Sequence, residues 1–291
     1  MQQSQLEAFL EEVKDFYEIV IIGKSVLGRD IYAVNYISSP SAKWALVTGG
    51  MHAREHLSCD LICMFMKEAY KHKLGFNISF VPLVNPDGVE LCENGCENLS
   101  DDDKERLIAI NQSEDFSLFK ANANGVDLNN NWDADWHNKF SSKTAPSSQG
   151  FYGYEAMSEP EVQALAEWSE NLDLFISISF HLKGEEVYYD FHQTGLRRRR
   201  DRKIAKVFAR SSGYHIRSTQ KISSGGFKDW CVKKLKIPAL TIELGDDKFS
   251  HPFPKSELKY IYYKNQDFFK NLSKCLKIEE KYQKNIKNDE K

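Results

Sequence analysis

Trp44-Ala45-Leu46-Val47-Thr48-Gly49-Gly50-Met51-His52-Ala53-Arg54-Glu55 is the stretch whose reading decides the fold. Its first five residues form a short apolar run closed by two glycines, and a helix-like segment follows from about Glu55 to Lys71. An apolar strand that stops at a glycine turn and hands over to a helix is the unit from which parallel sheets are built. The same alternation continues outward. Upstream lie a helix-like Leu6 to Phe16, a short strand Val20 to Ile22, a turn at Leu27-Gly28-Arg29-Asp30 and a strand from Ile31 to Ile37. Downstream, a strand from Ile78 to Val84 runs into Asn85-Pro86-Asp87-Gly88, which reads as a turn. Leu174 to Phe180 has the composition of a central strand, and Ala239 to Leu244 of another. These patterns predict one α/β domain, a mostly parallel or mixed twisted sheet flanked by helices.

The remaining segments fill in around that sheet. Glu93 to Phe116 is acidic and polar and reads as an exposed excursion with weak helix over 104–110. Ser158-Glu159-Pro160-Glu161 begins a helix, with a cap, a proline in the first turn and acids at the positive end of the dipole. Further helices are expected over Asp201 to Ser211, Phe227 to Lys234 and Lys255 to Cys275. Residues 1–276 then form the folded domain, and 277–291, dominated by Lys, Glu and Asn, form a frayed or disordered tail.

Composition narrows the partners. The 291 residues carry 39 Lys and Arg against 42 Asp and Glu, a net charge of −3, which argues against a general nucleic-acid or anionic-membrane binder. Arg197 to Arg200 is the exception, and in a short loop before a helix it reads as a solvated charged face. The first residues lack a basic and then apolar leader, and no later stretch reaches the ~18 apolar residues of a membrane span, so a cytoplasmic location is expected. Six cysteines are far too few for a disulfide framework and agree with reduced thiols. Cys59 and Cys63 share a helix face, and Cys92 and Cys96 lack the second pair that a structural zinc needs.

Titratable residues gather where the strands end. His52, Arg54 and Glu55 follow the strand ending at Gly50, His181 follows Phe180, and Glu243 closes the strand from Ala239. In an open α/β sheet that edge is where ligands bind, so residues distant in sequence meet there. His52 and Glu55, three apart across a strand-to-helix turn, can aim at one ion, and His181 completes a His/Glu/His set with one position open, as in a catalytic zinc site. Taken singly, a His-x-x-Glu arises by chance, and a histidine after a strand is ordinarily a satisfied core residue. Glu243 between Ile242 and Leu244 is harder to explain without a partner or a function.

The chain resembles the zinc metallocarboxypeptidases of the carboxypeptidase A type from about Ile22 to Pro252. The resemblance is carried by Ile22 to Ile31, Gly49 to His56, Asn85-Pro86-Asp87-Gly88, Gly125-Val126-Asp127-Leu128-Asn129-Asn130-Asn131-Trp132, Ser179-Phe180-His181 and Thr241-Ile242-Glu243-Leu244-Gly245. It implies one zinc per chain held by His52, Glu55 and His181, with Glu243 as general base. Arg54 would stabilise the oxyanion or bind the substrate carboxylate, and Asn129 and Asn130 would orient the terminal carboxylate. Lys120 to Ala123, His181 to Tyr188 and Gly225 to Trp230 look most like bacterial γ-D-glutamyl-diaminopimelate peptidases, which implies hydrolysis of small cell-wall peptides.

Asn130 stands where the motif commonly has an arginine, Asn124 where many bacterial relatives carry another, and Lys221 near the place of a tyrosine in the digestive enzymes. Lys221 is thereby a candidate carboxylate-binding cation. Glu185, with Glu186, would take the ammonium of a diaminopimelate side chain, unless the pair is only an exposed acidic turn. A carboxypeptidase on ordinary peptides and a zinc-retaining, weakly active peptide-binding protein are the alternatives. The expected partner is a small peptide or muropeptide, with no nucleic acid and no membrane.

Overall fold

A computed structural model describes residues 1–138, 143–218 and 225–289. Its centre is an eight-stranded sheet in the order β1-β2-β4-β3-β5-β8-β6-β7. The strands are β1 (Glu18–Lys24), β2 (Asp30–Tyr36), β3 (Trp44–Thr48), β4 (Asn77–Val81), β5 (Leu174–Leu182), β6 (Glu186–Tyr188), β7 (His215–Arg217) and β8 (Ala239–Leu244). The four central strands β4, β3, β5 and β8 are mutually parallel, and the antiparallel pairings are β1 with β2, β2 with β4 and β6 with β8. The expected mixed sheet is therefore present, with two short strands, β6 and β7, that the sequence reading passed over. Three residues each are too few to show a period.

Helices cover both faces. They are α1 (Gln3–Val13), α2 (Leu57–Ala69), α3 (Pro86–Asn94), α4 (Asp101–Asn111), α5 (Pro160–Glu170), α6 (Gly195–Ser212), α7 (Phe227–Trp230), α8 (Leu258–Lys264) and α9 (Phe268–Asp289). One core packs α1, α2, α6, α8 and α9 against the sheet face that carries Ala45, Val47, Ile176, Ile178, Phe180, Leu240 and Ile242. A second, around Trp132, Leu165 and Trp230, meets Leu46 and Val81 on the other face. Alternation along β5 makes the division visible: Ile176, Ile178, Phe180 and Leu182 enter the first core, while Ser177, Ser179 and His181 face the other way.

Three expectations are corrected. Asn85-Pro86-Asp87-Gly88 opens a helix instead of forming a turn: Asn85 Oδ1 accepts from Gly88 N at 2.9 Å and Pro86 occupies the first helical position, where its missing N–H costs nothing. Arg197 to Arg200 lie inside α6, not in a loop before it. The supposed tail at 277–291 is helical through Asp289, because α9 packs along α6 and Glu279 is buried against Arg200 at 3.2 Å. Composition signalled solvation correctly for one face of that helix and missed the other.

A buried acidic cluster fastens the loops beneath the sheet edge. Asp87 accepts from Leu27 N at 2.7 Å and pairs with Arg29 at 2.7 Å; Glu161 accepts from Val26 N at 3.2 Å and from Asn122 Nδ2 at 3.1 Å. Burial, reinforced by the charge of Asp87, pushes Glu161 up to about 8. A carboxyl group with a raised folded pKa stabilises the fold fully below its unfolded value near 4.5, and that contribution is lost as pH rises through about 8. The stability of the wild type relative to Glu161→Gln, measured by urea unfolding, should therefore fall between these limits. The variant should also show a pH-independent loss of about 1–3 kcal/mol from one donor left facing another. Parallel pH profiles would show that Glu161 is ionised throughout.

Candidate active site

Residues from two strand ends meet at the point where the chain reverses its progress across the sheet. From β3 the chain moves to β4 on one side, then returns past β3 to β5 and β8 on the other. Such a reversal leaves a crevice at the carboxyl edge between β3 and β5. His52 follows β3 by four residues, and Glu55 closes a short 3₁₀ turn, Ala53–Glu55, that leads into α2. The turn depends on Gly50: its φ is +59°, and a Cβ there would meet Cys59 Sγ at 2.7 Å and Leu83 Cδ1 at 2.9 Å. Ser58 Oγ accepts from Gly50 N at 2.9 Å and so fastens the turn to the start of α2.

His181 arrives from β5 and Glu243 from β8. Parallel pairing sets Ser179 opposite Thr241 and His181 opposite Glu243, so both titratable groups stand on one face at the same height. His52 Nδ1 lies 2.9 Å from Glu55 Oε1; His181 Nδ1 lies 3.0 Å from Glu55 Oε2 and 3.1 Å from His52 Nδ1. All three residues are buried, and their donor atoms lie within 4.8 Å of one another. Two imidazole nitrogens and a carboxylate converging on one point, with the two like nitrogens in mutual contact, form a donor set for a divalent cation of borderline softness. The residues present therefore fit zinc.

Groups behind the cluster orient it. His181 Nε2 lies 3.1 Å from Ser179 Oγ, which accepts from Thr48 Oγ1 at 3.0 Å. Asp127 Oδ1 lies 3.2 Å from His52 Nε2, off the line of a formed hydrogen bond, and Asp127 Oδ2 pairs with Lys120 Nζ at 3.0 Å. Burial alone would raise the Asp127 pKa, yet Lys120 and His52 hold its carboxyl far below the usual range. His52 is raised: burial works against its charge, and Glu55 and Asp127 outweigh it. Sequence reading gave Asp127 and Lys120 no role, although both stood in quoted motifs. A lone Asp or Lys in a loop carries no periodic or spacing signal; only the fold shows that they touch.

Glu243 is half-buried, and among the described residues its carboxylate forms no hydrogen bond. Burial pushes its pKa up to about 8, with Glu55 and Glu186 adding to the rise. Glu186 is its register partner on β6 and is held by Arg217 Nε at 2.6 Å and by the Tyr188 hydroxyl. Glu185 is not part of this row; it pairs with Lys264 on α8 at 3.1 Å.

The other expected residues fall at the rim or beyond. Arg54 Nη1 donates to Gln149 Oε1 at 3.1 Å and to Leu118 O at 3.3 Å. Asn129 Oδ1 accepts from Phe227 N at 3.0 Å, which leaves its amide hydrogens to donate elsewhere. Asn130 is half-buried beside it in the same 3₁₀ turn, Leu128–Asn130. Asn124 donates to Glu159 Oε2 at 2.9 Å. Lys221 lies outside the described residues.

Elemental analysis of metal-replete protein should find one zinc per chain in the wild type and near-complete loss in His181→Ala. Asp127→Asn should keep the ion but bind it roughly 10–100-fold more weakly in chelator competition, the usual cost of removing a group that orients a ligating histidine. Unchanged stoichiometry in His181→Ala would remove that residue from the site.

Comparison with known proteins agrees with this geometry. A family model described as zinc carboxypeptidase matches residues 3–268. The uncharacterized protein YqgT of Bacillus subtilis (strain 168) is 31% identical over 282 residues, a match covering 89% of this chain and 73% of that protein. Gamma-D-glutamyl-L-diamino acid endopeptidase 1 of Lysinibacillus sphaericus is 31% identical over 271 residues, covering 87% of this chain and 66% of that protein, so the chain spans about two thirds of that relative's length. Among solved structures, bovine thrombin-activatable fibrinolysis inhibitor in complex with tick carboxypeptidase inhibitor superimposes with a TM-score of 0.72 at 19% identity, over 98% of both chains. With a family match that runs from the first helix to the start of the last, the chain belongs to the zinc carboxypeptidase family of metallopeptidases, and its cofactor is one zinc ion per chain.

Proposed function

We propose that this peptidase hydrolyses the γ-D-glutamyl-diaminopimelate bond of small cell-wall peptides, releasing the residue that carries the free carboxylate. Residues 1–276 would form the catalytic unit. The observation that carries the reading is the register of β5 and β8, which sets Glu243, whose carboxylate accepts no hydrogen bond among the described residues, beside the cluster of His52, Glu55 and His181. The substrate assignment draws support from the Lysinibacillus relative, whose name states activity on γ-D-glutamyl-L-diamino acid bonds.

Bound zinc, held by His52, Glu55 and His181, supplies Lewis acidity toward the scissile carbonyl and makes an attacking water more acidic. Glu243 takes the proton of that water and passes it to the departing amine. Its position suits the task, because a half-buried carboxylate that accepts no hydrogen bond among the described residues keeps its oxygens free to take a proton. Arg54 offers a guanidinium at the rim for the substrate's carboxylate or for the developing oxyanion. Asn129 and Asn130 orient the terminal carboxylate through amide donors, with Lys221 as a further cation. Glu185 has one oxygen on Lys264 and the other without a hydrogen bond among the described residues, whereas both oxygens of Glu186 are held by Arg217 and Tyr188, so Glu185 is the acid that would take an amino group on the substrate. Six free thiols support a reducing, cytoplasmic setting in which the substrates are soluble muropeptides.

Incubating the zinc-loaded protein with a panel of muropeptides and ordinary peptides, with products read by mass spectrometry, tests the substrate. Release of diaminopimelate from a tripeptide joined through the γ-carboxyl of D-glutamate is expected; cleavage of α-linked peptides alone would replace this reading by that of an ordinary carboxypeptidase. In the same assay Glu243→Gln should retain zinc and lower turnover by at least ~10²-fold, since a positioned general base contributes about 10²–10⁴. Activity within a few-fold of wild type would assign the proton transfer to another group.

A further inference from the structure

Helices α6 and α9 carry a charge that the net value of the chain conceals. Together they hold fourteen Lys and Arg against four acids, in a protein whose net charge is −3, so the rest of the chain is strongly acidic. The excess is ordered. On α6, Leu196, Arg199, Lys203, Lys206 and Arg210 recur at intervals of three and four; on α9, Lys270, Lys274, Lys277, Lys281 and Lys284 do the same. Side chains at such intervals form one stripe along a helix. All ten are exposed except Lys206, which is half-buried, and the α9 stripe is about 21 Å long at 1.5 Å per residue.

The two stripes face the same way. Lys206 and Arg210 share a groove of about 620 Å³ with Asp267 and Lys274, while Arg199 and Leu196 lie beside Lys281 and Asn285 farther along. The helices are therefore antiparallel neighbours, and their apolar faces are buried in the main core, which fixes both rows in orientation. Of the nine cations, Lys270 alone has an ion-pair partner within 4 Å among the described residues, Asp267 at 3.7 Å. Arg197, Arg198 and Arg200 play a different part, bonded to Val232 O, Asp190 and Glu279.

We propose that this face docks the protein peripherally on an anionic lipid bilayer. Two rows on side-by-side helices engage a flat charged surface together, each lysine and arginine adding to the attraction. Leu196 extends the α6 stripe at one end as an exposed apolar side chain at headgroup depth. Duplex nucleic acid fits less well, because a major groove about 12 Å wide admits one helix and not a packed pair. Single strands call for stacking platforms, and among the described groove residues the one aromatic ring, Tyr282, already carries the Arg200 guanidinium 4.5 Å from its centroid.

Sedimentation of the zinc-loaded full chain with vesicles tests this. Vesicles of phosphatidylcholine with roughly one third phosphatidylglycerol should pellet at least ~10-fold more protein than phosphatidylcholine alone, and raising salt from about 0.1 M to about 0.5 M should abolish the difference. Lys203→Glu/Lys274→Glu/Lys277→Glu/Lys281→Glu should lose vesicle binding while keeping zinc and peptide hydrolysis, and the four corresponding Lys→Arg changes should keep both. Equal recovery with both vesicle types, or binding that survives high salt, would overturn the proposal without the charge-reversed variant being needed. Binding of a single-stranded oligonucleotide at about 0.15 M salt by protein that ignores anionic vesicles would assign the face to nucleic acid instead.

Discussion

Backbone hydrogen bonds that pair β5 with β8 in parallel register hold His181 and Glu243 side by side, and the chemistry of the chain is arranged about that pair. Because side chains alternate across a strand, a slip of one residue would send one of the two into the apolar core on the other face. The flanking residues prevent it: Ile178, Phe180 and Leu182 fill one core, and Thr48, Ser179 and Thr241 line up across β3, β5 and β8 on the opposite face. The polar row is thus paired by the same register that packs the apolar one. The strand that builds the core also aims the ligand.

Apart from Glu243, the carboxylates buried closest to the cluster are compensated where they stand, since an unpaired buried charge costs several kcal/mol. Glu55 is shared by His52 and His181 and also accepts from Leu182 N at 3.2 Å. Asp127 is shared by Lys120 and His52. The loop holding His52 is fastened in turn by Asn85, which donates to Met51 O at 3.3 Å and Ala121 O at 3.0 Å. That amide is fixed because its oxygen caps α3. Beneath it, Asp87, Glu159 and Glu161 tie α3, the Asn122 loop and α5 to the turn at Leu27. A disturbance at Asn85 would reach the cluster through two backbone carbonyls.

How much of this was legible in the sequence follows from the range of each signal. Trp44 to Thr48 and Leu174 to Phe180 showed their strands because buried parallel strands read as apolar runs, and the order of His52, Glu55, His181 and Glu243 at strand ends placed the cluster on one edge. Asn85 misled because its cap geometry and its turn geometry share the same residues: Asn-Pro-Asp-Gly favours both, and packing of Val89 and Leu91 decides for the helix. Asp127 and Lys120 escaped notice because their value lies in contacts across 75 and 7 residues of chain that no local pattern encodes. Glu185 and Glu186 were adjacent in sequence and equivalent on paper. The left-handed conformation of Glu185, with φ +53°, turns it toward Lys264, and the next residue enters β6 opposite Glu243.

Net charge was the weakest guide, for a physical reason. A total of −3 says how a molecule behaves at distances large compared with itself, but screening limits each surface charge to a reach of about 8–10 Å at ordinary ionic strength. Within that range a partner meets α6 and α9 or the acidic remainder, never their sum. Residues 277–289 illustrate the point from the side of folding: the Lys-rich composition that suggested a frayed tail hides lysines at intervals of three and four, which form one face of a helix whose other face carries Leu272, Cys275 and Glu279 into the protein. The same periodicity that orders the charge also orders the burial. A polar composition therefore excludes a packed segment only when its apolar residues, however few, fail to fall on one side.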